Sequence, residues 1–321
     1  MQKPEKNVKI KNQNKSKFVY LNFNLKYEII AFLPIAQQFN QATQLNKRFN
    51  SFLNKKRIFS FLKCEAKNLI KNLNFTVKYI SLAKVYLLSA LTECSEEKIN
   101  EIINFLLKIK HKNLTQLDLT EIKSLDNYFL SSFLAKSETL QHLFLFENKL
   151  GKRAEDLKFL CLALAENKSI TDLFVSQNKV GKNASDMAFV NLMLLLNTKL
   201  TYVDLSYNNI GCNKEDGKFL ASALKRNKTL KSLNLCSNKI GATNKDEFLL
   251  LCAAMLENNS LESVDLSFNF VENNEANADA FLTLIRLNLN FRFFSLLKNP
   301  LAKNEKLVKL KESGFDGRFL L

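Results

Sequence analysis

Apolar positions keep a fixed spacing along most of this chain. Six successive phrases place an apolar residue eight, five and three positions before an asparagine: Leu140-Leu143-Leu145 before Asn148, Ile170-Leu173-Val175 before Asn178, Leu200-Val203-Leu205 before Asn208, Leu230-Leu233-Leu235 before Asn238, Leu261-Val264-Leu266 before Asn269 and Phe291-Phe294-Leu296 before Asn299. The asparagines stand 30, 30, 30, 31 and 30 residues apart. The last two apolar residues of each phrase flank a residue that points the other way, which predicts a short strand with one buried face. The asparagine amide then serves the backbone of neighbouring coils. Glycine follows at Gly151, Gly181, Gly211 and Gly241, where a turn needs positive φ. Asp156, Asp186, Asp216 and Asp246 come next and are read as helix N-caps. An apolar helical stretch such as Leu157, Leu160, Ala163 and Leu164 ends at Asn167, and its equivalents end at Asn197, Asn227 and Asn258, read as left-handed C-terminal positions. One strand, one turn and one helix per period predict a solenoid, each coil burying its apolar face against its neighbours.

Degraded phrases extend the array. Leu114-Leu117-Leu119 keeps the spacing with Ile122 at the asparagine position, and Leu82-Val85-Leu87 keeps it with Ala90. The pattern divides the chain into a disordered basic tail (1–17), a helical N-terminal region (18–81), the repeats (82–300) and a C-terminal cap (301–321). In the cap, a helix carrying Leu307 and Leu310 is followed by Phe315, Phe319, Leu320 and Leu321 folding back onto it.

Residues between the buried positions of each strand line the concave face. The candidate partner-binding residues there are Asp118, His142, Phe144, Phe146, Asp172, Phe174, Tyr202, Asp204 and Asp265, with Tyr207 at the edge. Aromatic side chains beside carboxylates are typical anchors of a protein interface. Phe144 and Phe174 are expected to be neighbours, with Phe146 flanking Phe144.

Composition narrows the function classes. The chain has 46% hydrophobic residues, enough for a sizeable core, and three prolines, which argues against long linkers. Its net charge of +16 is concentrated at the start: residues 1–80 hold 16 basic and 3 acidic residues, residues 111–321 hold 27 and 24. A solubilising tail accounts for that excess without specific nucleic-acid binding. The six cysteines lack a framework spacing and suit a reducing compartment as small core residues. No stretch is expected to span a bilayer, since Phe248–Leu256 is too short. Met1–Lys17 is polar throughout and is not read as a signal peptide. These points indicate the cytoplasm, with the nucleus as the other compartment. With His111 and His142 as the only histidines, and no phosphate loop, metal-ligand spacing or nucleophile elbow, no enzyme, cofactor or metal is expected.

The LxxLxLxxN phrase resembles the leucine-rich repeat. Segments such as "NNIGCNKEDGKFLASALKRN" are similar to the ribonuclease-inhibitor-like class, and this resemblance covers about two thirds of the chain. It implies an α/β fold: a horseshoe solenoid with a concave parallel sheet and convex helices, preceded here by a small α-helical region. Residues 25–53 resemble the F-box, through Leu25, Glu28, Ile29, Phe32, Leu33 and Pro34, then Asn46-Lys47-Arg48-Phe49 and Phe52. Lys26 replaces the usual proline there, and Phe49 the usual tryptophan. That resemblance implies docking to the adaptor of a cullin-type ubiquitin ligase, with the groove choosing the target. A helical cap sealing the solenoid is the other reading of the segment. For the whole chain, the alternatives are a structural or adapter subunit of a cytoskeletal, ciliary or organellar assembly, and a Ran-type GTPase-activating protein, whose usual acidic tail is missing.

Overall fold

The computed structural model describes residues 79–81, 115–120, 127–313 and 318–321. Nine strands form one parallel sheet in chain order: β1 (Tyr79–Ser81), β2 (Gln116–Asp118), β3 (His142–Phe144), β4 (Asp172–Phe174), β5 (Tyr202–Asp204), β6 (Ser232–Asn234), β7 (Ser263–Asp265), β8 (Phe293–Ser295) and β9 (Phe319–Leu320). Helices α1 (Asn127–Lys136), α2 (Ala154–Glu166), α3 (Asp186–Leu196), α4 (Asp216–Arg226), α5 (Glu247–Leu256), α6 (Glu275–Leu287) and α7 (Glu305–Glu312) alternate with the strands from β2 onward. The strand register repeats the sequence period, so Leu143, Leu173, Val203, Leu233, Val264 and Phe294 lie side by side. All six are buried, together with helix residues such as Leu160, Leu164, Leu194 and Leu224. Strand and helix close one apolar layer between them. The described residues form an α/β leucine-rich-repeat solenoid.

Asparagine side chains join the coils. Asn178 accepts from the backbone N–H of Asn148 and Leu150 through Oδ1, and donates through Nδ2 to Leu145 O of the preceding coil. Asn208 accepts from Asn178 and Val180 and donates to Val175 O, and to Leu205 O and Ser206 O of its own coil. Each amide thus reaches back one coil and does not reach forward. The residue before each repeat asparagine is left-handed: Glu147, Gln177, Tyr207, Ser237, Phe268 and Lys298, with φ between 53° and 62°. That turn aims the amide inward.

A second asparagine ladder replaces the expected left-handed helix ends. Asn167, Asn197 and Asn227 have φ near −63° to −72° and ψ near 131° to 136°, an extended conformation. Asn258 follows Glu257, which takes the C-cap place of α5. Their Nδ2 groups donate to Leu134 O, Leu164 O, Leu194 O and Leu224 O of the preceding coil. Their Oδ1 atoms accept from the N–H three residues on, at Ile170, Leu200, Leu230 and Leu261. The helix C-terminal carbonyls are satisfied from outside the helix, so no left-handed residue is needed.

The expected aspartate caps also do different work. Asp186 and Asp216 are the first residues of α3 and α4, and their carboxylates turn back to accept from Gly181 and Asn183, and from Gly211 and Asn213. Asp156 pairs with Arg153 at 2.8 Å. Asp246 makes no cap bond. Glu247 takes over because this coil is one residue longer, and it accepts from Gly241 N. The extra methylene fits because the preceding coil has Gly217, where a Cβ would lie 2.3 Å from Glu247 Cγ. Gly181, Gly211 and Gly241 have positive φ, whereas Gly151 is required by close approach, since a Cβ there would lie 2.2 Å from Lys179 O.

The first strand lies five residues earlier than the Leu82-Val85-Leu87 phrase. Ile80 pairs with Leu117, so the strand falls at Tyr79–Ser81, at the end of the segment read as helical. Two phrases with the same spacing overlap there, and β-branched and aromatic residues favour the earlier one. At the other end, Pro300–Lys303 forms a 3-10 turn and α7 buries Leu307. Phe319 and Leu320 add β9 to the sheet edge, with Phe319 edge-on to Phe281 at 6.4 Å. The tail covers a strand edge that would otherwise expose unpaired backbone groups.

Replacing Asn208 by Ala strands the N–H groups of Asn178 and Val180 and the Val175 carbonyl, and is expected to cost about 1–3 kcal/mol in urea unfolding. A second prediction concerns Glu247. Burial pushes its carboxyl up to about 7 from the ordinary 4.5, against the lowering effect of Gly241 N–H, and Asp216 adds to the rise. The folded state therefore holds this proton more tightly than the unfolded chain. The stabilisation is complete below pH 4.5 and is lost as pH rises through about 7. Glu247→Gln is expected to gain on the order of 2 kcal/mol at pH 8 relative to its standing at pH 5. Urea midpoints at the two pH values measure it.

Candidate functional site

The sheet face turned away from the helices carries the candidate residues. Strand alternation sends the leucines to the core and their neighbours outward, and the parallel register turns those neighbours into rows. One row reads Asp118, Phe144, Phe174, Asp204, Asn234, Asp265 and Ser295. The adjacent row reads Gln116, His142, Asp172, Tyr202, Ser232, Ser263 and Phe293.

Four rings cluster at the start of this face. Phe144 and Phe174 stack with centroids 4.5 Å apart and planes 11° apart. Phe146 lies 6.2 Å from Phe144 and 5.8 Å from Phe174. Tyr202 lies 5.0 Å from Phe174. All four are half-buried, covered in part by one another and open on one side.

The carboxylates divide into two kinds. Asp118, Asp204 and Asp265 each use Oδ1 to accept from the N–H two residues on, at Thr120, Ser206 and Ser267. They brace the strand ends, and Asp204 is almost fully buried while doing so. Asp172 instead accepts from Thr171 Oγ1 at 2.9 Å and sits 2.6 Å from His142 Nδ1. The Tyr202 phenol is held above its ordinary value first by burial, then by the Asp204, Asp172 and Asp265 carboxylates. The field on this face is negative.

Tyr207 lies apart from the cluster, exposed on the rim with φ 53°. Phe268 occupies the same place two coils on, with φ 56°, and Phe270 is exposed beside it under Lys239 Nζ at 5.1 Å. The candidate set omits Phe270. Its signal is an aromatic one residue after the asparagine, where other coils have Lys149, Lys179 and Lys239. Leu25, Glu28, Ile29, Phe32, Leu33, Pro34, Phe49 and Phe52 lie outside the described residues, as does the tail of 1–17.

The arrangement offers aromatic contact area beside negative charge. Burial pushes the Cys236 thiol up, away from the thiolate that a nucleophile needs. His142 and Asp172 make a pair without an activated nucleophile in contact. Among the described residues no three His, Cys, Asp or Glu side chains converge to hold a metal, and no helix is long and apolar enough to cross a membrane.

A family match supports the repeat assignment. The family described as Leucine Rich repeat matches residues 196–211 and 226–243, across the Asn208 and Asn238 turns. No curated protein matches the chain. A similar solved structure, "Crystal structure of TLR13-ssRNA13 complex", shares 18% identity over 61% of this chain at a TM-score of 0.34, and the match spans 27% of that longer chain.

Truncating the ring stack separates surface from core. Phe144→Ala with Phe174→Ala is expected to cost about 1–2 kcal/mol, the worth of a stacked pair and some covered area. Leu173→Ala, in the core beside Leu143 and Val203, is expected to cost about 2–5 kcal/mol. Equal losses in urea unfolding would place the rings in the core.

Proposed function

We propose that this chain is a protein-interaction scaffold that takes a protein partner on the open sheet face of β2 to β5. The observation that carries this reading is the four-ring cluster of Phe144, Phe146, Phe174 and Tyr202, half-exposed between carboxylates. Rigid aromatic side chains offer contact area at little entropic cost, and such groups dominate interface energies. Asp118, His142, Asp172, Asp204 and Asp265 complete the surface, with Tyr207 on its rim. Coils of 30 or 31 residues, with helices of 10 to 13 residues in α2 to α6, support the ribonuclease-inhibitor-like class.

In the finer reading, residues 25–53 act as an F-box-like segment and the chain is the substrate receptor of a cullin-type ubiquitin ligase in the cytoplasm or nucleus. Support for it comes from the sequence order of Leu25, Glu28, Ile29, Leu33, Pro34, Lys47, Arg48 and Phe49. Co-purification of three tagged chains tests both levels. The wild type is expected to bring down a groove partner and a ligase adaptor. Phe144→Ala with Phe174→Ala is expected to weaken the groove partner by about 2–4 kcal/mol and keep the adaptor. Leu33→Ala with Pro34→Ala is expected to do the reverse. Absence of any adaptor from the wild-type sample removes the F-box reading. A groove partner indifferent to the rings removes the scaffold site.

A further inference from the structure

The rim where strands lead into helices has a chemistry of its own. Two positions flank each buried repeat asparagine there, one residue before it and one after. In four coils one of these positions holds an exposed lysine: Lys149, Lys179, Lys239 and Lys298. In two coils they hold exposed aromatic residues: Tyr207, and Phe268 with Phe270 on either side of Asn269. The one acid at these positions is Glu147. Among the described residues, none of the four lysines pairs with a carboxylate. Glu272, which follows soon after Phe270, is taken by Lys245 at 2.6 Å.

Backbone conformation holds these side chains out. Tyr207 and Phe268 have φ of 53° and 56°, a left-handed setting that bulky residues rarely take, and they are 58% and 53% exposed. Leu297 is also exposed and lies beside Phe268, whose N–H donates to Leu297 O at 2.8 Å. Lys239 Nζ stands 5.1 Å from the centre of the Phe270 ring, so a cation and an apolar tip share one spot. The core gains little from rings held this way. Exposed apolar side chains grouped together mark a contact surface.

The charge and the placement of the rings name the occupant. A protein partner recognises an aromatic anchor by enclosing it with matching shape, whereas these rings are tips carried on separate turns along a rim. A bilayer surface needs no matching shape. Its interface accepts aromatic and apolar tips among the headgroups, and an anionic leaflet attracts the lysines around them. We propose that this rim docks on the surface of an anionic lipid bilayer. Tyr207, Phe268, Phe270 and Leu297 enter the headgroup region, and Lys239 and Lys298 face the acidic headgroups. The proposal is independent of the ring cluster of Phe144 and Phe174.

The chain contains no tryptophan, so Phe270→Trp in the full chain introduces a single fluorescent reporter. On vesicles of phosphatidylcholine with phosphatidylserine its emission is expected to move to the blue and to be quenched by brominated acyl chains. Vesicles of phosphatidylcholine alone are expected to cause neither change. Phe159→Trp, on α2 and also exposed, is the control expected to stay unquenched. That control separates docking of the rim from attachment through the basic residues 1–80. Adding Lys239→Gln and Lys298→Gln to the reporter chain is expected to raise the lipid concentration at half-maximal shift roughly thirty-fold, the worth of two lysines at an anionic surface. High salt is expected to narrow that gap. Unmoved emission on the anionic vesicles, equal quenching of the two reporters, or indifference to the lysine substitutions would overturn the proposal. Emission that responds to poly-glutamate and not to vesicles overturns it in favour of an acidic protein. Phe144→Ala with Phe174→Ala is expected to leave the shift intact, and its loss there overturns the assignment to the rim.

Discussion

Strands of three residues make a poor sheet on their own. Each contributes few backbone bonds, and the turns that follow leave carbonyl and N–H groups inside the molecule. Buried groups of that kind destabilise a fold unless they are paired. The side-chain amides of Asn148, Asn178, Asn208, Asn238, Asn269 and Asn299 pair them, each donating to a strand-end carbonyl of the coil before it. A second set at Asn167, Asn197, Asn227, Asn258 and Asn288 does the same at the helix ends. Each coil from β3 to β7 is thereby pinned to its predecessor at two places, and the stacking distance between these coils is fixed.

That fixed distance is what makes the open face readable as a surface. Phe144 and Phe174 can stack at 4.5 Å because their strands are held in register one spacing apart. The same register lines carboxylates up beside them. Asp204 and Asp265 brace their own strand ends and charge the groove at the same time. The stability of the coil and the recognition chemistry of its face therefore draw on the same few residues. On the opposite rim, Asp186, Asp216 and Glu247 do the equivalent bracing under burial, which raises all three carboxyls.

The parts of the structure that were legible in the sequence are those set by periodicity. Coil length, the apolar core and the rows of the open face follow from one repeated spacing, and Phe144 beside Phe174 is its direct consequence. Where two residue roles share one composition, the pattern misleads. Asn167 suits a left-handed helix end or a buried amide bridge, and only the neighbouring coil's helix-end carbonyl at Leu134 decides between them. Asp186 suits a helix cap or a loop clasp, and the glycine turn at Gly181 presents the N–H groups that win it. The β1 position was ambiguous because phrases beginning at Val77 and Leu82 have equal spacing. The exposed aromatics Phe268 and Phe270 flank Asn269 at positions where other coils have Glu147, Gln177, Lys149 or Lys179, so the spacing places them on the rim while the residue type changes from coil to coil.

Asparagine side chains, bonding from the following coil, hold each turn in place and so shape the open face. Residue-resolved hydrogen exchange measures this directly. The N–H groups of Val180, Ile210, Ile240 and Val271 have Asn208, Asn238, Asn269 and Asn299 Oδ1 as their partners, at 3.0 to 3.1 Å. They are expected to exchange only through global unfolding, as slowly as the strand amides of Leu173 and Val203. Exchange at these four positions as fast as in the surface loops, with the strands still protected, would contradict the account.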